Sequence, residues 1–370
     1  MRDMVVFGED FGGLPSSTQH LVKYLAKDRQ VIWVNSIGLR QPRFNLHDCK
    51  RAASKLLGHG KQGFDRFEDT PTNISVVNLR TIPAPQSGLS RQMAKQMMLS
   101  QLKPILKNHN IHKPILWSSL PTAADLVGHL DEHAVVYYCG DDFSALSGVD
   151  HNTVARHEEE LVKKANIIFG ASENLCAKFP NCKTQLLPHG VDVDLFTTPT
   201  QPANDLPKSG KPIAGFYGSL STWIDYELIH YVAINLPNWE FVFIGPNELN
   251  HYPLPRLDNV HYLGPKPHHQ LPSYSQHWQA SLLPFKANNQ INACNPLKLL
   301  EYLAVGAPVI STPFPALQPY SKYINIVETA HEMSGALKLA TYEPRLPSDI
   351  VTQDSWQCRG EFVKRMLDQL

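Results

Sequence analysis

The sequence predicts an α/β chain made of two doubly wound, Rossmann-like halves. Short apolar runs alternate with amphipathic stretches of helical length, the pattern of parallel strands with helices on both faces. That alternation breaks once, over the polar, Pro-bearing stretch from Thr197 to Pro212, and then starts again. The length of 370 residues suits two domains of ordinary size.

The elements follow in order. Val5 to Gly8 is an apolar run too short for a helix and reads as the first strand. A helix follows from about Ser16 to Lys27, with Leu21, Tyr24 and Leu25 on one face. Further strands are expected at Val31 to Asn35, Ile74 to Leu79, Ile115 to Trp117, Ala134 to Cys139, Ile167 to Gly170 and Gln185 to Leu187. Helices fit between them at about Leu89 to Lys107, Thr122 to Leu130, Asn152 to Ala165 and Ser172 to Phe179. Residues 197–212 carry Pro199, Pro202, Pro207 and Pro212 and almost no large apolar side chain, which reads as an interdomain linker.

The second half repeats the scheme. Strands are expected at Ile213 to Tyr217, Trp239 to Gly245, Val260 to Leu263, Ala280 to Pro284 and Pro308 to Ser311. Helices are expected at Asp225 to Asn235, Gln270 to His277, Pro296 to Val305 and His331 to Leu339. A last helical segment starts near Trp356. The division is therefore 1–196, a linker at 197–212, a second domain at 213–352, and a C-terminal helix at 353–370. In such sheets ligands bind beyond the carboxyl ends of the strands, so the default site is a cleft between two facing domains.

Composition narrows the function. Lys+Arg and Asp+Glu are both 34, and a net charge of zero argues against binding nucleic acid through a general basic field. Hydrophobic residues at 42% and charged residues at 18% supply apolar mass for two cores. The six Cys form no CxxC pair and no zinc-like spacing with His. The N-terminus reads as a strand rather than a signal peptide, and no apolar run approaches the ~18 residues of a membrane span. A cytoplasmic chain with reduced thiols is expected.

Common catalytic signatures do not fit. The turn after the first strand, Gly8-Glu9-Asp10-Phe11-Gly12-Gly13, is not GxGxxG, and its carboxylates would repel a pyrophosphate. No P-loop, HExxH or GxSxG is present. The second half offers more. Its first strand leads through Gly218 and Ser219 towards a helix, an arrangement suited to phosphate, with Thr222 as an ordinary N-cap on the plainer reading. Lys298 and Glu301 share a face near the start of a helix opened by Pro296, and on the plainer reading they form a surface ion pair.

Three segments in order carry a resemblance. They are Phe216-Tyr217-Gly218 with Trp223-Ile224-Asp225, then Asn259 to Pro265, then Pro296 to Ala304 with Gly306 and Pro308-Val309. Similarity extends to Gln19-His20-Leu21, to Val135 through Phe143, and to Pro188-His189-Gly190-Val191-Asp192. The chain resembles bacterial GT-B glycosyltransferases of the "glycosyl transferases group 1" type, which assemble exopolysaccharides and cell-wall polymers. The resemblance implies a GT-B fold, with the C-terminal helix and Trp356 packing back on the first domain. It implies a nucleotide-diphospho-sugar donor held mainly by the second domain, and no metal cofactor. Glu301 would accept from the ribose hydroxyls, Lys298 would meet the diphosphate with N–H groups near Gly218 and Ser219, and the base would lie by Gly264, Pro265 and Lys266. The chain departs from the pattern at Ala293, where many retaining members carry a carboxylate, a role that Asn292 or Asn295 would have to take over.

A hexose-type sugar would pass to a hydroxyl of a glycan or lipid-linked acceptor. The first domain would supply the base that takes the hydroxyl proton, with Asp141, Asp142 and His20 as candidates. A GT-B nucleotide-sugar epimerase or hydrolase and a non-catalytic glycan-binding scaffold are the alternatives. The basic stretch 40–66 reads either as a peripheral contact with the inner face of the membrane or as a solvated loop. Glu159/Lys163 and Glu160/Lys164 read as i, i+4 pairs, and His268-His269 as loop surface.

Overall fold

The structure, a computed structural model, describes residues 1–13, 16–36, 70–82, 85, 87–143, 150–295 and 297–370, with the side chain of Ala293 also outside the description. The basic stretch 40–66 and Pro296 therefore lie outside the described residues. The chain divides into two units, Met1–Pro188 with Arg359–Leu370, and His189–Cys358.

The first unit is wound from β1 (Met4–Phe7), α1 (Ser17–Leu25), β2 (Val31–Val34), β3 (Ile74–Val77), α2 (Gly88–Asn108), β4 (Ile115–Ser118), β5 (Ala134–Cys139), α3 (His151–Lys164), β6 (Ile167–Gly170), α4 (Glu173–Cys176) and β7 (Thr184–Leu186). Its parallel sheet runs β3-β2-β1-β4-β5-β6-β7. β1, β2, β4, β5 and β6 are buried along their whole length, as strands covered on both faces must be. The helix expected from Thr122 to Leu130 is only a 3₁₀ turn, Pro121–Asp125.

The second unit contains α5 (Val193–Thr197), β8 (Ile213–Tyr217), α6 (Tyr226–Asn235), β9 (Glu240–Ile244), β10 (Val260–Tyr262), α7 (Pro272–Ser275), β11 (Ala280–Leu283), α8 (Asn289–Ala293), α9 (Leu297–Val305), β12 (Val309–Ser311), β13 (Ile324–Ile326) and α10 (Ala330–Ala340). Its parallel order is β10-β9-β8-β11-β12-β13. In both sheets the winding reverses beside the first strand of the unit, at β1/β4 and β8/β11. Those reversals are where a doubly wound sheet opens a crevice at its carboxyl edge. β13 was not expected from sequence, because a three-residue edge strand with Asn325 at its centre gives no periodic signal.

Three expectations need correction. The Pro-bearing stretch 197–212 belongs to the second unit rather than standing between units. Thr200 N–H donates to Gln276 Oε1 at 2.9 Å, Ala203 N–H to the Ser273 carbonyl at 3.0 Å, and Leu206 is only 6% exposed. Proline removes helix and strand from such a stretch, but it leaves carbonyls and intervening N–H groups free to pair. The last helix, α11 (Trp356–Leu367), enters the first unit only from Arg359 onwards. There Phe362 stands edge-on to Phe169 at 6.3 Å, and Lys364 pairs with Asp28. Trp356 itself stays in the second unit, where its N–H donates to the Val191 carbonyl at 3.1 Å. Finally, Glu160 does not pair with Lys164. Arg91 binds Glu160 at 2.7 Å and also Asp125, while Lys164 donates to the Ala124 carbonyl at 2.9 Å.

Candidate functional site

The carboxyl edge of the second sheet begins where β8 ends. Gly218 has φ 140° and its N–H donates to the Ile244 carbonyl at 2.8 Å, which ties it to the end of β9. A Cβ at Gly218 would stand 2.7 Å from Lys298 Cε. A Cβ at Gly245, φ 137°, would stand 2.1 Å from the Gly218 carbonyl oxygen. Only glycine fits at either place, for reasons of conformation and of space. The turn does not open directly into a helix, and Thr222 is not the cap. Leu220 bridges to Asn247, and α6 starts only after Asp225, whose side chain accepts from Leu228 N–H at 3.0 Å. The Ser219 N–H makes no hydrogen bond among the described residues.

The helix that does meet Gly218 is α9, through Lys298 in its first turn. The Lys298 ammonium lies 5.8 Å from the Phe216 ring centre and 5.7 Å from that of Phe285. It makes no hydrogen bond or ion pair among the described residues. Burial pushes its pKa down, against the smaller opposing influence of Cys294 and Glu301. A half-buried ammonium, aromatic walls, a free N–H and the positive end of a helix together make a place suited to an anion.

Glu301, one turn further along α9, is 7% exposed. It does not form the surface pair with Lys298 that the spacing allows. His268 Nε2 lies 2.8 Å from Glu301 Oε1, so the loop after β10 reaches the carboxylate. The same loop is fixed at its start, where Gly245 N–H donates to the Gly264 carbonyl at 2.9 Å. Pro265 and Lys266 thus stand between the Gly264 contact with Gly245, at the end of β9, and the His268 contact with Glu301. The Lys266 ammonium is engaged by Asp205 at 2.6 Å, so its charge is already met. Tyr217 is buried beneath, and burial followed by the Glu301 charge raises its pKa far up. Asn292 and Asn295, on either side of the α8–α9 junction, are exposed and half-buried respectively.

At the carboxyl edge of the first sheet, β5 ends at Cys139 and the chain continues through Asp141 and Asp142. The structure separates these two acids. Asp142 forms an ion pair with Lys178. Asp141 is an exposed residue, and its carboxylate makes no hydrogen bond or ion pair among the described residues. Partial desolvation, then the neighbouring Asp142 charge, raises its pKa. Glu9, at the end of β1, also has a raised pKa, from burial, although Ser16 and Gln19 hydrogen-bond to it. His20 sits half-buried on α1. Sequence reasoning did not single out Lys178 or His268, because each acts on a partner far away in the chain.

No family model matches the chain. TuaH of Bacillus subtilis (strain 168), provisionally named a teichuronic acid biosynthesis glycosyltransferase, is 25% identical over 292 residues, which covers 70% of this chain and 73% of that one. The solved structure of HepE from Anabaena, in complex with UDP and glucose, matches over 100% of both chains with a TM-score of 0.68 at 12% identity. Sucrose-phosphate synthase from Thermosynechococcus elongatus matches 100% of this chain and 99% of its own, with a TM-score of 0.68 at 13% identity. The architecture continues along the whole length, and no helix among the described residues is long and apolar enough to cross a membrane. The chain therefore has the GT-B fold and is a relative of a bacterial protein named for glycosyl transfer in teichuronic acid biosynthesis.

Proposed function

We propose that this chain is a glycosyltransferase that moves a hexose-type sugar from a nucleotide diphosphate to a hydroxyl of a glycan or lipid-linked acceptor in surface-polymer assembly. The observation that carries the reading is Lys298. Its ammonium is held against the Gly218 backbone at the sheet's switch point, away from any carboxylate partner among the described residues. A diphosphate there would replace the water that burial removes, and would hold the lysine charged. HepE has been solved with UDP and with UDP-glucose, which supports a uridine nucleotide as the first donor to try.

In this reading α9 and the Gly218–Ser219 turn receive the diphosphate, Lys298 meets the charge that grows on the leaving group, and Glu301 accepts from the ribose. The loop carrying Pro265 and Lys266 borders the base, with Lys266 fixed by Asp205. No metal takes part, because the ammonium and N–H groups supply the positive charge. Asp141 takes the proton of the attacking hydroxyl, since its raised pKa suits a base better than that of an acid committed to an ion pair. Asp142 and Lys178 then set the field around it.

A thermal-shift panel of nucleoside diphosphates and nucleotide sugars tests the donor half. A ligand at 100 times its Kd adds about 2.7 kcal/mol of stability. Absence of any shift across the panel, with no nucleotide released in the presence of mixed glycan and lipid-linked acceptors, would remove the proposal.

A further inference from the structure

We infer that His268 is a positioning residue that makes the donor site selective for ribose over deoxyribose. The inference rests on the placement of the ribose at Glu301. A carboxylate on α9 could turn either oxygen outward, and an unrestrained Glu would bind a diol poorly. Here His268 Nε2 holds Oε1 at 2.8 Å. The His268 ring is itself fixed, standing edge-on to Phe196 at 5.5 Å. Phe196 is fully buried, so the ring packs against the core of the second unit. Glu301 also lies close to the buried Tyr217, whose pKa its charge raises. One oxygen is thereby committed to the protein, and the second keeps a defined direction in which to accept a sugar hydroxyl.

The same contact links two parts of the nucleotide. His268 follows Gly264-Pro265-Lys266-Pro267, the loop expected beside the base, while Glu301 belongs to the helix that carries Lys298. Seating the base loop and orienting the ribose carboxylate are therefore a single event. Removing His268 should cost ribose recognition without removing the lysine that meets the diphosphate.

The test is calorimetry with UDP, GDP and the 2′-deoxy and 3′-deoxy forms of each, on the full chain and on His268→Ala and His268→Gln. The wild type should bind a ribonucleoside diphosphate more tightly than at least one deoxy form. His268→Ala should lose roughly tenfold in affinity for the ribonucleotide and little for that deoxy form, so that the preference collapses. His268→Gln, whose amide can donate to the same oxygen, should restore part of it. An unchanged ribose preference in a folded His268→Ala protein would overturn the inference while leaving the donor site intact. Failure of the wild type to bind either ribonucleotide would remove the donor reading and this inference with it.

Discussion

The carboxyl edge of the first sheet collects acids, whereas the edge of the second presents an ammonium. Glu9, Asp141 and Asp142 follow β1 and β5, and both Glu9 and Asp141 have raised pKa values. Gly218 and Lys298 meet at the end of β8, and Lys298 has a lowered pKa. Both sheets are wound the same way about their first strand, so topology does not make the difference. It comes from partners. Asp142 has Lys178 and Glu301 has His268, while Asp141 and Lys298 are each left without a counter-charge in contact among the described residues. An acid with a raised pKa is suited to take a proton, and a half-buried cation is suited to take an anion. Each unit thus carries one uncancelled charge at its sheet edge, an acid in the first and a cation in the second.

The largest effect that would break this comparison is at Asp141. Asp141→Asn should bind donor as before and lose about 10²–10⁴ in turnover, read from nucleotide release at saturating donor. Asp142→Asn should be much milder. The pH profile sharpens the distinction. With Asp141 as base, kcat/KM falls as pH drops through its raised pKa, and removal of the Asp142 charge lets that pKa fall, shifting the acid limb to lower pH. Full activity in both variants would place the base elsewhere, with His20 next in line.

Lys298→Ala tests the other side and should lower kcat by roughly 10²–10³, with a smaller change in donor affinity, if the ammonium meets charge that develops on leaving. A loss confined to KM would make it a ground-state contact. Glu301→Ala should come next, with nucleoside diphosphate binding weakened about 10- to 150-fold in calorimetry, the worth of hydrogen bonds to a charged acceptor. Unchanged affinity in the folded variant would take Glu301 out of the site.

The smallest effect on turnover is expected from the acid cluster of the first unit that is fully partnered. Burial alone would raise the Asp125 pKa, but hydrogen bonds from His157 and Arg91 overcome it and bring the group down to about 2. Its folded pKa lies below the unfolded value, so its contribution to stability is present above about pH 4 and is lost as pH falls towards about 2. Asp125→Asn should flatten that part of an acid-unfolding curve and leave kcat near wild type. A large loss of kcat would mean that paired and unpaired acids do not divide as described. A chelator such as EDTA should likewise leave turnover unchanged.

Part of the candidate site was legible in the chain. Gly218, Lys298 and Glu301 lie at a strand end and in the first turns of a helix, positions that local pattern locates, while the roles expected of Lys298 and Glu301 came from the family resemblance. Asp141 and Asp142 stood out for the same reason. Local pattern could not rank the two acids, since the deciding ion pair comes from Lys178, which is 36 positions after Asp142 in the chain. Nor could it recognise His268 as anything but surface, since Glu301 lies 33 residues further on. The one available hint was its place just after the Gly264–Pro267 run.

The sequence by itself determined the alternation of strands and helices, the two-unit division and the residues at the strand ends. All of these follow from the apolar period and from the turn residues, which act over a few positions. Tertiary structure decided where the units divide, at Pro188/His189 and Cys358/Arg359, and that the Pro-bearing stretch packs within the second unit. It also decided which charges are cancelled. Burial and pairing depend on atoms brought together from distant parts of the chain, and the free energy of a charge is set by what surrounds it rather than by what precedes it.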